Sequence, residues 1–395
     1  MKKICAVLLA ATTVAACSNS LDANNGDDTG SNGSGSNSGS GSGSGSGDQY
    51  DQILGSRTVD YGAALRIAAL RLTGDLPTIT ETQSVTAPAD PAAQKTAYNA
   101  LITDYLGRPT FATQMIDFWR NTFKQGGTAM LDTAPVLAAQ LSVQNGAYTD
   151  LFTKATGNCP TYDGPTNTFA PAECGNGGPV AGVLTNPGVM AQFFSNFGFR
   201  RVRWIQEMFV CTAFPAEVST VPIDVGGSSP YTGVWPFASI ASPTNGNGRV
   251  NFQDTSAVIC ANCHTTINHI APLFAYYDMN GAYQTAISVP TPLEGAPPAM
   301  LSDYLPPGET TAWRFGKAAT DIPALGAAMA ADPLVAECGV ARTWNWALGK
   351  QDIVDSLESV PAETIASEVS AFTQSGFKMK DLIYAVFTSD DFVKF

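Results

Sequence analysis

The sequence predicts a mainly α protein, in which a helical N-terminal domain is followed by a second helical domain and both are preceded by a flexible tether. Two observations carry this prediction. After residue 50, apolar residues recur at three and four positions along much of the chain, which is the period of a helix that buries one face. Residues 18–48 are instead mostly Asn, Asp, Gly and Ser, which bury nothing and behave as a flexible coil.

The first predicted helix is centred on Leu65, Ala68, Ala69 and Leu72, and it ends at Gly74 because glycine favours helix C-termini. Further helices are predicted over residues 90–106, 111–123, 189–194, 201–210, 333–348 and 379–387. Residues 158–179 and 213–247 are rich in Gly, Pro, Ser, Thr and Asn, which predicts two long loops between these helices.

Composition places the chain among globular proteins. Hydrophobic residues make up 44% of the chain, as in other globular proteins. Its length of 395 residues is enough for two domains of ordinary size. Lys and Arg number 21 against 34 Asp and Glu, giving a net charge of −13. This charge repels nucleic-acid phosphates, so we expect no nucleic-acid partner.

The N-terminus resembles a bacterial export signal over residues 1–16. Lys2 and Lys3 precede an apolar stretch that is too short to span a bilayer. The stretch ends Val-Ala-Ala-Cys at Cys17, which resembles a lipobox, so Cys17 is expected to become the lipidated N-terminus of a linker over residues 17–49. Ser18 is consistent with sorting to the outer membrane, on its periplasmic side or at the cell surface. The alternative is an ordinary signal peptide with an incidental cysteine.

The most specific motif is a Cys-x-x-Cys-His run formed by Cys260, Cys263 and His264. Two thiols at this spacing add to the vinyl groups of a porphyrin, and the adjacent imidazole binds its iron, which predicts one covalent haem c. Two alternatives remain open: a disulfide between Cys260 and Cys263, and half of a zinc site. A zinc site would need unusual partners, because the chain has only two histidines, His264 and His269. His269 is expected beside the site or at the surface.

A sixth iron ligand would be a methionine, since thioether sulfur favours reduced iron. Of Met279, Met300, Met329 and Met379, the first two lie in predicted loops and are the better candidates. An open sixth position would instead favour a haem enzyme.

Four cysteines remain once Cys5 is lost with the signal, Cys17 is lipidated and Cys260 and Cys263 hold the haem. An oxidising compartment favours their pairing. The preferred pairs are Cys159 with Cys174, closing the first long loop, and Cys211 with Cys338, linking the two halves of the body. Four reduced, buried thiols are the alternative.

The surroundings of the haem motif resemble planctomycete-type cytochrome c-like proteins, a family built from several domains of unknown function. An aromatic-Asp-x-x-Gly-x-aromatic signature occupies residues 277–283. Other similar stretches are residues 66–78, 182–185, 200–211, 338–349 and 377–392. The chain departs from the family at Asn268-His269, where Asp-Pro is usual, and at Gln284, where a basic residue is usual. The resemblance implies a helical domain over residues 50–248 and a cytochrome c-like haem domain over residues 249–395.

These observations favour a membrane-tethered single-haem electron carrier whose redox partner protein the sequence does not identify. The alternatives are a haem enzyme of peroxidase or oxygenase type and a surface-binding lipoprotein with structural haem. Arg200, Arg201 and Arg203 form the densest basic cluster, which we interpret as a solvated helix face, with haem propionates or an acidic partner as alternatives.

Overall fold

The computed structural model describes residues 55–214, 252–253, 258–291, 296–305 and 307–395, without the side chains of residues 258–260, 355 and 358. The described part is mainly helical, so the prediction of a mainly α protein is confirmed. Residues Ser56–Phe395 cluster as one compact unit. The predicted signal and tether, including Cys17, lie outside the described residues.

Five helices before residue 215 overlap the predicted segments, and several helices in this part begin at side-chain caps. Asp60 accepts a hydrogen bond from the backbone of the first helix, and Thr78 and Glu81 form a reciprocal capping box on the second. These helices are α1 (Tyr61–Thr73), α2 (Ile79–Thr86), α3 (Pro91–Tyr105), α4 (Pro109–Phe123), α5 (Ala129–Val143), α6 (Asp150–Thr153), α7 (Pro187–Gln192) and α8 (Phe199–Phe209).

Helix α5 is one of the helices that the apolar periodicity did not predict. It begins at Thr128, whose side chain accepts from Leu131, and carries Pro135 in its second turn. Its apolar residues are buried around most of its circumference, so it lacks the one-sided pattern of a surface helix. It packs along α4, where the Trp119 indole donates to the Ser142 hydroxyl at 2.9 Å.

The remaining helices continue the same body. They are α9 (Val258–Phe274), α10 (Ile322–Ala330), α11 (Pro333–Ala347), α12 (Val354–Glu358), α13 (Ala362–Gln374) and α14 (Met379–Thr388). Asp321 and Asp332 cap α10 and α11, each followed by a proline in the first turn, where its missing N–H costs nothing. Short 3₁₀ turns occupy Gly182–Thr185, Asn196–Gly198, Leu301–Asp303 and Arg314–Gly316.

Strands are few in the described residues and form two small antiparallel hairpins. β1 (Thr161–Asp163) pairs with β2 (Thr168–Ala170), with Thr161 opposite Ala170, inside the first predicted loop. β3 (Ala312–Trp313) pairs with β4 (Lys317–Ala318). Neither hairpin contributes a sheet to the core.

The C-terminal helices pack on the N-terminal helices in one shared core. The Tyr98 hydroxyl on α3 donates to the Phe387 carbonyl on α14 at 2.7 Å, across 289 residues of sequence. The two ends of the body also pair, since the Thr58 N–H donates to the Phe395 carbonyl at 2.9 Å. The expected boundary between domains 50–248 and 249–395 lies outside the described residues, and described residues assigned to both sides of it share this core.

Two disulfides have the pairing that the sequence favoured. The Cys159 and Cys174 sulfurs are 2.13 Å apart and close the loop that holds β1 and β2. The Cys211 and Cys338 sulfurs are 2.03 Å apart and join the end of α8 to α11. The second link therefore crosses the boundary between the predicted halves of the body.

Among the described residues, no single helix is long and apolar enough to cross a membrane. The bent pair Ile322–Ala330 and Pro333–Ala347 meets that test only when its two helices are taken together.

Candidate haem-binding site

Helix α9 carries the Cys-x-x-Cys-His motif. Residues three and four apart lie on one face of a helix, so the positions of Cys260, Cys263 and His264 share a face. Ile267, Ala271 and other apolar residues of α9 are buried in the core against α8. The Cys263 side chain is half-buried, whereas the side chain of Cys260 lies outside the described residues.

A hydrogen-bond chain determines which nitrogen of His264 carries the proton. The Asn268 amide nitrogen donates to the Phe252 carbonyl at 2.6 Å, so the amide oxygen of Asn268 faces His264. That oxygen lies 2.9 Å from Nδ1 of His264 and can only accept. Nδ1 is therefore the donor, and Nε2 keeps the lone pair that a metal ion requires.

Aromatic rings enclose the imidazole. The Phe252 ring stacks on His264 with centroids 4.8 Å apart and an interplanar angle of 10°. The Phe199 ring meets His264 edge-on at 5.2 Å. Burial lowers the pKa of His264, and the hydrogen bond with Asn268 only partly opposes this shift. The site therefore holds a neutral imidazole at physiological pH.

His269 has a different environment from His264. It lies five residues later on the same helix, a rotation of about 140° at 3.6 residues per turn. Its Nδ1 lies 2.6 Å from the Thr265 carbonyl, and its Nε2 lies 3.1 Å from the Glu309 carboxylate. Both ring nitrogens are thus engaged by the protein.

The two methionines preferred as sixth ligands are both exposed. Met300 is 51% exposed. Its N–H donates to the Asp303 carboxylate at 2.7 Å, and the Asp303 carbonyl accepts from the Phe252 N–H at 2.7 Å. Asp303 thus connects the Met300 segment to the residue that stacks on His264. Met279 is 66% exposed in the loop beyond Phe274, where α9 ends. That end lies ten residues past His264, about 15 Å along the helix axis.

The other two methionines considered as ligands, Met329 and Met379, have essentially no exposed surface and pack in the core.

The aromatic-Asp-x-x-Gly-x-aromatic signature forms a closed loop at the end of α9. Tyr277 and Tyr283 pair as an antiparallel bridge. Asp278 accepts from two backbone N–H groups inside the loop and from the Gln284 amide at 2.8 Å. Gly281 has φ 76° and lies against the Pro187 backbone, where a Cβ would be 2.3 Å from the carbonyl oxygen. This signature has a structural role in the described residues.

The basic cluster on α8 is not a uniformly solvated face, contrary to the interpretation from sequence. Arg201 has no exposed surface, although Arg200 and Arg203 are exposed. Arg203 pairs with Glu207 one turn later at 2.6 Å. The three arginines have different environments because each residue of a helix is rotated by 100° from the one before it. Of the three, only Arg201 points into the core.

Arg201 anchors the end of α9. Its guanidinium donates five hydrogen bonds to four backbone carbonyls, those of Met190, Phe274, Tyr277 and Asp278. Burial lowers its pKa to about 10, so the side chain remains charged at neutral pH. A buried cation is stabilised here by carbonyl dipoles, which hold the loop after α9 in place.

Comparison of the chain with protein-family profiles, with curated protein sequences and with solved structures gave no match. Within the described residues, no group of three or more His, Cys, Asp or Glu side chains is placed to hold a metal ion. The case for this site therefore rests on the motif and on the orientation of His264.

Sequence reasoning missed the residues that orient the imidazole. Asn268 was noted only as a departure from the Asp-Pro of the family. It lies four residues after His264, a spacing at which side chains are neighbours on one face of a helix. Phe252 and Phe199 left no such signal, because their contacts with His264 cross segments of no regular spacing.

Proposed function

We propose that the protein is an exported, membrane-tethered c-type cytochrome that holds one covalent haem and transfers single electrons. The observation that carries this proposal is the orientation of His264. Its Nδ1–H is donated to Asn268, which leaves Nε2 as an iron ligand in the arrangement that metal-binding histidines commonly use.

Each residue of the motif has a defined part in this proposal. Cys260 and Cys263 would attach the porphyrin, and His264 would bind the iron from one side. A bound haem supplies one-electron redox chemistry. Asn268 and Phe252 orient the imidazole, and Phe199 keeps its surroundings apolar.

Met300 is the better candidate for the sixth ligand. Its segment is bonded to Phe252, whose ring lies on the imidazole, whereas Met279 belongs to the loop at the far end of α9. Methionine ligation would favour an electron carrier with a raised potential.

The proposal includes membrane attachment through a lipid on Cys17 and a linker over residues 17–49, which would place the protein at the outer membrane. The resemblance to planctomycete-type cytochrome c-like proteins supports a cytochrome c-like arrangement of the C-terminal region. The partner is a redox protein, and the net charge of −13 argues against nucleic acid.

Replacing Cys260 and Cys263 with serine is expected to abolish covalent haem. The full chain is produced in a host that matures c-type cytochromes, and haem is measured by the pyridine haemochrome spectrum and by haem staining of a denaturing gel. The control is Cys159→Ala/Cys174→Ala, which removes the same number of cysteines elsewhere and should retain the haem. A colourless wild-type protein from a host with active maturation would show that the proposal is wrong.

The same spectra distinguish a carrier from a haem enzyme. A low-spin spectrum with a sulfur-to-iron band in the oxidised protein supports the carrier, and loss of that band in Met300→Ala identifies the ligand. A high-spin spectrum would instead support a haem enzyme with an open sixth position on the iron.

Changing Asn268 is expected to alter the haem potential. Asn268→Asp places a carboxylate against Nδ1, which makes the imidazole a stronger donor and stabilises oxidised iron. We expect the midpoint potential to fall by about 60 mV or more, since 59 mV corresponds to a tenfold change for one electron. Asn268→Leu removes the acceptor and serves as the comparison. Equal potentials in all three proteins, measured by redox titration, would contradict a role for Asn268 in orienting the ligand.

A further inference from the structure

A cavity lies between α1, α4 and α11, on elements other than the helix that carries His264. Its volume is about 430 Å³, which falls in the range of small-molecule sites. Its wall includes both charged side chains and two aromatic rings. None of the residues that line it contacts His264.

The inner wall of this cavity contains a buried amide without a partner. Asn345 is 1% exposed, and neither its Oδ1 nor its Nδ2 has a hydrogen-bond partner among the described residues. The Thr122 hydroxyl beside the cavity is likewise 1% exposed and without such a partner. Because buried polar groups without partners are costly, these atoms require a polar partner in the cavity, either water or a ligand group. Together they both donate and accept, as a ligand hydroxyl requires.

Two cations at the cavity are not neutralised. Arg71 and Lys350 have no ion-pair partner among the described residues, whereas Arg342 and Lys124 both contact Asp352. The other acid of the wall, Asp117, pairs with Arg120 at 3.2 Å. In a chain of net charge −13, this local excess of positive charge favours an anionic ligand.

The position of Arg71 depends on a glycine. Gly349 has φ 73°, and a Cβ there would lie 2.3 Å from the Arg71 guanidinium. The missing side chain therefore leaves space for the cation to lie over the end of α11.

The aromatic part of the wall suits the apolar face of a ligand. The Phe118 and Trp346 rings lie 5.2 Å apart at the cavity. An indole ring can pack on the C–H face of a saturated ring while polar groups bond at its edges.

We propose that this cavity binds a small carboxylate that carries hydroxyl groups, of the sugar-acid class. Its carboxylate pairs with Arg71 and Lys350, its hydroxyls bond Asn345 and Thr122, and its ring or chain packs on Trp346. The inference is independent of haem binding.

The test is isothermal titration calorimetry of the purified full chain with galacturonate, gluconate and quinate. At least one of them should bind, and galactose and cyclohexanecarboxylate, which lack the carboxylate or the hydroxyls, should bind at least about tenfold more weakly. Arg71→Ala should weaken binding at least about tenfold, because a charge-assisted hydrogen bond is lost. Arg66→Ala, on the same helix but exposed and outside the cavity, is the matched control and should bind as wild type does.

Asn345→Leu distinguishes a ligand contact from a buried polar defect. It keeps a similar volume and removes both polar atoms, so a ligand role predicts binding at least about tenfold weaker with the folded structure retained. Three outcomes would overturn the proposal: none of the three acids binds, inorganic phosphate binds as tightly as they do, or folded Asn345→Leu binds as wild type does.

Discussion

Arg201→Met is expected to lower the free energy of unfolding by about 4 kcal/mol or more, the largest effect of any single substitution considered for this protein. The substitution removes all five side-chain hydrogen bonds to four backbone carbonyls while keeping an apolar stem of similar length. The carbonyls of Phe274 and Asp278 each keep one backbone N–H donor. Each buried acceptor left without a partner costs about 1 to 3 kcal/mol. The loss should therefore far exceed that of an ordinary surface arginine.

Arg201→Lys should restore little of this stability. Lysine places one ammonium group where a planar guanidinium donates in several directions, so it cannot reach all four carbonyls. A lysine variant as stable as wild type would show that charge, and not the geometry of the donors, stabilises the site.

The matched control is Arg203→Met on the same helix. Arg203 is exposed and pairs only with Glu207, so its loss should change stability by no more than about 0.5 kcal/mol. Guanidinium unfolding monitored by tryptophan fluorescence measures both variants. Similar losses for Arg201→Met and Arg203→Met would refute the anchoring role of Arg201.

Removal of the Cys211–Cys338 disulfide is expected to lower the free energy of unfolding by about 5 kcal/mol, which is the second large effect. The link spans 127 residues, and the unfolded chain gains more freedom when a longer loop is released. The Cys159–Cys174 link spans only 15 residues, for which the same relation gives about 3 kcal/mol. We therefore compare Cys211→Ala/Cys338→Ala with Cys159→Ala/Cys174→Ala.

The measurement is the free energy of unfolding of both double variants under identical conditions. The variant without the long-range link should be less stable by about 2 kcal/mol. An equal or smaller loss for that variant would mean that this link does not restrict the unfolded chain as its length implies. Because the link joins α8 to α11, its removal should also loosen the contact of these two helices.

Local sequence patterns were sufficient for much of the secondary structure. Leu65, Ala68 and Leu72 lie on the buried face of α1, and the helix ends at Gly74, in the left-handed conformation that glycine favours. Periodicity did not predict α5, because a helix buried on most sides has no polar face to reveal its period. A 3.6-residue period of apolar residues is visible in the sequence only when one face of the helix contacts water.

The motif at Cys260, Cys263 and His264 could be recognised from sequence because its chemistry depends on neighbours three and four residues apart. The sequence by itself also determined the charge that argues against nucleic-acid binding, the mainly α class and a pairing scheme for four cysteines. Each of these follows from composition or from short-range spacing.

Only the tertiary structure decided which groups act on that motif and around it. Phe252 orients Asn268, and through it His264, from a segment outside the helix. Arg201 was interpreted as solvated but is buried, and Arg71 and Asn345 meet at one cavity from helices far apart in sequence. The physical reason is the same in each case: burial and hydrogen bonding are set by contacts between distant segments, and such contacts leave no period along the chain.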